Sequence, residues 1–376
     1  MKVYFTRRNF LSCGTGALLT ATQLRSQTPQ IPVAEVTVKE YKPRSTVALI
    51  RGENRRKNVH DALVAIDDQI RAKLKTKKSV IIKPNDVSPT NQLASTHADA
   101  ICGILDYLMP RFKGPIVIAE SSGDTWTGFN NFNYPQMIKE FKSRKIELID
   151  LNEEGKFVHQ AVLDQDAHIV PVRLAARLFD RDAFIISSAL LKSHNYAVAS
   201  LGVKNMVLGA PLRSAPTSKE NFNHKASYHA GFHLIHYNMV VTAQSMQPFW
   251  GVSLIDGFEG MEGNGPVSGT PVESKLAIAS TDFIAADRVG VECMGVDPKW
   301  VGYLQYCNQI GLGNYDRAKI DIIGPSIASV QKTYLMNSDI EREMKWIEPF
   351  DVEDGSWIGP RGRRTDGRPT FREPGR

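Results

Sequence analysis

Apolar positions along the chain fall into short continuous runs, separated by longer segments in which apolar residues recur every three or four positions. The runs Thr46 to Ile50, Ser79 to Lys83, Ile116 to Glu120, Ile146 to Leu151, Ala183 to Ser188, Phe249 to Asp256, Lys275 to Ala279 and Ile320 to Ile323 predict strands. Most are continuously hydrophobic, with no polar alternation, which is how strands covered on both faces read. The intervening patterns predict helices over Val59 to Leu74, Ala98 to Phe112, Tyr134 to Ser143, Val172 to Phe179, Tyr228 to Gln244 and Phe283 to Met294. Strand and helix in alternation predict an α/β fold: a three-layer, mostly parallel sheet with helices on both faces. The stretch 209–223, rich in Ser, Pro and Asn, predicts a long surface loop or lid.

Sheets of this kind bind ligands beyond the carboxyl ends of their strands. The polar clusters of this chain sit there: Lys83-Pro84-Asn85-Asp86, Glu120-Ser121-Ser122-Gly123-Asp124, Lys192-Ser193-His194-Asn195 and Asp256-Gly257 each follow a predicted strand. The segment Leu190 to Leu208 is the most informative, because it sets Lys192, His194, Asn195, Lys204 and Asn205 into what would otherwise be core. A buried lysine is costly unless an anion or a hydrogen-bond partner meets it. Lysine offers a compact positive charge and asparagine both donors and acceptors, so carboxylates, phosphates or sugar acids suit such a cleft. Lys83, Asn85, Glu120, Asn195, Lys204, Asn205 and Asp256 are therefore expected to bind a small anionic ligand. His194, Lys192 and Glu262 are expected to exchange protons with it, a structural, hydrogen-bonded histidine being the alternative reading of His194.

Two further segments bear on chemistry. His224, His229, His233 and His236 lie within 13 residues, with 229 and 233 one helical turn apart. That spacing makes His229, His233 and His236 candidate ligands for a divalent metal, or an anion site, against an exposed or capping histidine face. Ala230 and Gly231 rule out a His-Glu-x-x-His protease helix. The segment Asp256 to Gly269 is glycine-rich, as a loop wrapped over a ligand or a turn-rich hairpin would be. It lacks the Gly-Lys-Ser/Thr of a phosphate-binding loop and the glycine spacing of a dinucleotide fold.

Composition narrows the class. With 42% hydrophobic and 23% charged residues in 376, the chain reads as globular, and no apolar run is long enough for a stable transmembrane anchor. The formal charge of +6 hides its distribution: residues 1–26 and 359–376 each carry +4, leaving the body at −2. A nucleic-acid footprint needs a basic face on the folded body, and nucleic acid is not an expected partner. Thr6-Arg7-Arg8-x-Phe10-Leu11, followed by a weakly apolar stretch to Ala21, resembles a twin-arginine export signal. It implies passage through the twin-arginine translocation machinery and a periplasmic or extracellular location. Cys13, Cys102, Cys293 and Cys307 form no Cys-x-x-Cys pair, which excludes an iron–sulfur cluster held by cysteines of this chain. Cys102 and Cys293 fall in apolar helical patterns and are expected in the core.

Lys83-Pro84-Asn85, Lys192-x-His194, Gly202-x-Lys204-Asn205 and Asp256-Gly257-x-x-Gly260-Met261-Glu262-Gly263-x-Gly265-Pro266 together resemble the bacterial and archaeal family called domain of unknown function 362, over roughly residues 45–325. The resemblance agrees with a twin-arginine signal, common in that family, and supplies no reaction. Some relatives add a cysteine-rich ferredoxin-like module, which this sequence lacks. The expected organisation is a signal peptide over 1–27, the α/β domain over 45–325, a C-terminal helical segment over 326–350 and a disordered Arg/Gly/Pro tail over 351–376. The function expected is an exported enzyme acting on a small anionic ligand, with metal assistance an option. The alternative is a non-catalytic periplasmic metal- or cofactor-binding protein serving a redox partner.

Overall fold

The computed structural model of the protein describes residues 43–215 and 218–348. The signal and the Arg-rich tail, with Cys13, lie outside the described residues. In chain order the first half contains β1 (Ser45–Arg51), α1 (Arg55–Ala65), α2 (Asp67–Leu74), β2 (Ser79–Lys83), α3 (Ala98–Leu108), β3 (Ile116–Glu120), α4 (Thr125–Asn131), α5 (Tyr134–Met137) and β4 (Ile146–Asp150). Next come β5 (Phe157–Leu163), β6 (Ile169–Ala175), β7 (Ala183–His194), β8 (Val198–Ser200), α6 (Gly202–Gly209) and α7 (Phe232–Met246). The chain closes with β9 (Trp250–Glu262), β10 (Thr270–Ser280), α8 (Phe283–Cys293), α9 (Gly302–Gln309), β11 (Ile320–Ile323), α10 (Ile327–Val330) and α11 (Ile340–Glu343).

Nine strands form one mixed, mostly parallel sheet in the order β11-β1-β10-β9-β7-β2-β3-β4, with β8 paired to the far end of β7. The pairs β7–β2, β2–β3, β3–β4, β7–β9 and β1–β11 are parallel, while β10 runs antiparallel to both β9 and β1. Successive side chains of a strand point to opposite faces, and both faces are buried here. Val80, Ile82, Ile116, Ile118, Ala277 and Ala279 pack with Val59, Leu63, Ile101 and Leu105 of α1 and α3. Ile81, Val117, Leu276 and Ile278 face the other way, toward Val203 of α6, Ile235 and Met239 of α7 and Val289 of α8. Two cores on one sheet make the three-layer α/β fold, and they explain why the strands read as unbroken apolar runs. Each fully buried aliphatic side chain contributes about 1.5–3 kcal/mol.

One predicted helix is half strand. Of Val172 to Phe179, the first four residues end β6, which pairs antiparallel with β5 as a separate two-stranded sheet, and the last four form a single turn of 3-10 helix over Ala176–Phe179. The i, i+3, i+4 spacing of Val172, Ala175 and Ala176 mimicked a helix. The local physics favours a strand: Val172 and Leu174 are buried on one face, Arg173 turns to the other, and Pro171 has no N–H to give a helix.

Three free cysteines, Cys102, Cys293 and Cys307, are buried. Among the described residues no helix is long and apolar enough to cross a membrane. Between 326 and 348 the chain forms the short helices α10 and α11, joined by extended chain that lies along the β9–β10 hairpin through Gly263 N–H to Leu335 O (2.8 Å) and Asn337 Nδ2 to Gly265 O (3.2 Å).

Candidate functional site

β2, β3 and β7 end on the same side of the sheet, and their last residues floor a cavity of about 180 Å³. Lys83 closes β2 and Glu120 closes β3. The Lys83 ammonium donates to both Glu120 oxygens (2.8 and 2.7 Å) and to the Pro84 carbonyl (2.8 Å). The Glu120 carboxylate also accepts the Ser121 N–H (2.7 Å) and the Asp86 N–H (3.2 Å), so all its strong acceptor directions are used. Lys83 and Glu120 are 1% and 2% exposed, and the pair places no net charge in the cavity. Gly209 permits this: a Cβ there would lie 2.6 Å from the Lys83 Nζ.

A second layer holds the amides in place. Lys192, fully buried on β7, donates to Asn85 Oδ1 (2.7 Å) and to the Ala94 carbonyl (3.0 Å). Asn85 Nδ2 donates to Asn205 Oδ1 (3.2 Å), and Asn205 Nδ2 to the Lys83 carbonyl (3.2 Å) and Ser187 Oγ (3.0 Å). Burial drives the Lys192 ammonium well below its ordinary range, with Lys204 adding to the effect and Asp86 and Glu120 opposing it. Lys192 therefore braces Asn85, and the cavity wall does not include it.

Lys204, Lys225, His194 and His229 line another face of the cavity. Lys204, in the first turn of α6, is 7% exposed and has no hydrogen-bond or ion-pair partner, and burial alone pushes it down to about 7. Lys225 donates to Ser121 Oγ (3.0 Å) and the Leu208 carbonyl (3.2 Å), and burial brings it also to about 7. His194 Nδ1 accepts the N–H groups of Tyr196 (3.0 Å) and Ala197 (3.3 Å) where β7 turns into β8. Protonation at Nδ1 would break both bonds, and burial, then Lys204, hold the ring well below its ordinary range. His194 thus presents an Nε2–H donor to the cavity. His229 Nδ1 donates to the Lys225 carbonyl (3.1 Å), and its ring centroid lies 6.4 Å from that of His194. Burial, then Lys204, lower His229 to about 4. Asp86 completes the rim, raised to about 7 by burial and then by Glu120.

Of the expected residues, Lys83, Asn85, Glu120, His194, Lys204, Asn205 and His229 meet around the cavity, with Lys192 directly behind. Glu262 does not join them: it sits on the β9–β10 hairpin, where it accepts the Leu335 N–H (2.8 Å). Asp256 is buried elsewhere on β9, paired with Arg55 (3.1 Å) and accepting the Phe258 N–H (2.9 Å). Asn195 is half-buried in the β7–β8 turn and outside the cavity lining. The glycine-rich segment is a hairpin, with only Pro266 of its tip reaching the cavity.

The three histidines proposed as metal ligands are separated. Gly231 takes φ 110 and starts α7 at Phe232, so His229 stands off the helix and shares no face with His233. His233 lies with Nε2 2.8 Å from the Glu348 carbonyl, and His236 is fully buried, its Nδ1 accepting the Tyr303 N–H (3.0 Å) beside Trp346. Among the described residues, the one trio of His, Cys, Asp or Glu with ligand atoms mutually within 4.8 Å is Asp164, Asp166 and His168, on the β5–β6 turn. Lys225 escaped the sequence reading, its nearest signal being its place beside His224. Gly209 carried no signal, because a small residue that makes room for a lysine looks like any other.

Fold and cavity together define an α/β protein with a lysine- and histidine-lined pocket at the strand ends of its central sheet. The chain belongs to the family described as Domain of unknown function (DUF362), whose model matches residues 80–292. It is 31% identical over 145 residues to a thylakoid-associated protein of Synechocystis sp., a match covering 38% of this chain and 41% of that one. Among solved structures, a Thermotoga maritima protein aligns with a TM-score of 0.36 and 10% identity, over 59% of this chain and 55% of that one.

Proposed function

We propose that the protein binds a small anionic, oxygen-rich ligand in the strand-end cavity. The observation that carries this reading is Lys204: a buried lysine with no partner, facing a cavity whose Lys83–Glu120 pair is already neutralised. An unpaired buried ammonium is costly, and a bound oxyanion would supply its missing counter-charge. Lys225, the His194 Nε2–H and the one N–H that Asn85 Nδ2 does not spend on Asn205 add donors around the same space. Isothermal titration with inorganic phosphate, sulfate and acetate is expected to show saturable binding, weakened roughly 10-fold to 100-fold in Lys204→Met. Affinities unchanged by Lys204→Met would overturn the reading.

The same reading places the protein outside the cytoplasm, exported by the twin-arginine route, on the strength of Thr6-Arg7-Arg8-x-Phe10-Leu11. The expected outcome is that Arg7→Lys together with Arg8→Lys leaves the protein in the cytoplasmic fraction. Export of that double variant at the wild-type rate would sink the assignment.

A further inference from the structure

The two cavity histidines have opposite, fixed hydrogen-bonding roles, and this bears on which anions fit. His194 Nδ1 is occupied as an acceptor by two backbone N–H groups, so its proton is on Nε2. His229 Nδ1 faces a carbonyl, which can only accept, so its proton is on Nδ1 and Nε2 keeps a lone pair. Neither Nε2 has a protein partner, and both rings line the cavity. The other strong carboxylate acceptors near it offer the cavity no open lone pair: Glu120 is taken by Lys83 and two backbone amides, and Asp86 accepts Ser95 Oγ through Oδ1, while its unpartnered Oδ2 is fully buried on the Gly128 side, where a Cβ on that glycine would fall. Hydroxyls such as that of Ser200 adapt to either role and discriminate nothing.

We infer that the cavity selects oxyanions that carry a hydrogen-bond donor of their own, the ligand O–H being received by His229 Nε2 while its oxygens take the Lys204 ammonium and the His194 Nε2–H. This rests on the anion-binding reading and sharpens it to a ligand class: a protonated phosphoryl group or a hydroxy-carboxylate. An oxyanion without a proton would face the His229 lone pair with one of its own, leaving a buried acceptor unmet and repelled.

Two matched pairs of probes test this by titration calorimetry on the full chain at neutral pH. Phosphate retains an O–H and sulfate does not; glycolate has one and acetate does not. Phosphate is expected to bind roughly tenfold or more tightly than sulfate, or glycolate than acetate, with the preferred pair telling a phosphoryl ligand from a hydroxy-carboxylate. His229→Phe, which keeps a ring but no acceptor, is expected to bring the preferred ratio toward one. Equal affinity within both pairs, or a preference that survives in His229→Phe, would overturn the selection while leaving anion binding intact. Binding of none of the four would overturn both.

Discussion

Lys204 faces the cavity with no protein counter-charge and is a liability to the fold. In the folded protein it loses its proton near 7, against an ordinary 10.5 once unfolded. Between these values the unfolded chain binds more protons, so this residue makes stability climb as pH rises through that window. Urea unfolding at about pH 7.5 and about pH 10 should show the climb, reduced in Lys204→Met, with the remainder shared by Lys225, whose shift has the same sign. At neutral pH, Lys204→Met is expected to unfold at higher urea than the wild type, because it replaces an unpaired buried ammonium with a side chain of similar length at about 1 kcal/mol or more of benefit. A more stable protein that binds anions more weakly is the outcome expected of a residue kept for ligand and not for folding.

At the scale of elements, the parallel strands were legible because their signal is local. Ile81, Val117 and Ile185 belong to runs that nothing but a doubly covered sheet explains. The carboxyl-end rule then puts Lys83, Glu120 and His194 at one end of that sheet. What escaped was set by the backbone: Gly231 starts α7 four residues later than the hydrophobic period implied, and the β9–β10 hairpin carries Glu262 away from the cavity. A histidine's role likewise depends on which ring nitrogen the backbone occupies, which no spacing reveals. His236 and His229 illustrate the difference. His236→Ala would open a void beside Trp346 and leave the Tyr303 N–H unmet, costing about 2–4 kcal/mol in a denaturant titration, with phosphate affinity unchanged. His229→Ala should do the reverse, altering anion binding with a smaller loss of stability.

Across the whole molecule, the C-terminal segment clasps the turn that orients His194. Glu343 of α11 is fully buried and accepts the Val198 N–H (2.7 Å), where Val198 holds a left-handed φ of 63. Burial raises Glu343 to about 8 from its ordinary 4.5. Between those values the folded state binds more protons, so this group makes stability fall as pH rises from about 4.5 to about 8. Glu343→Gln keeps the acceptor and cannot ionise, and its urea midpoint should lose that decline relative to the wild type; parallel curves for the two proteins would refute the clasp. The order of the sheet has a consequence for how the chain is made. β1 leaves the ribosome first, yet its two neighbours, β10 and β11, are synthesised near the end, with Ala48 facing both Ala279 and Ile323. Until then β1 has no partner on either side and an unpaired apolar edge is open to other chains. Ribosome-bound chains halted before residue 270 should therefore be protease-sensitive at β1, and a shortage of chaperones during synthesis should cost this protein more than one whose first strand pairs with its second.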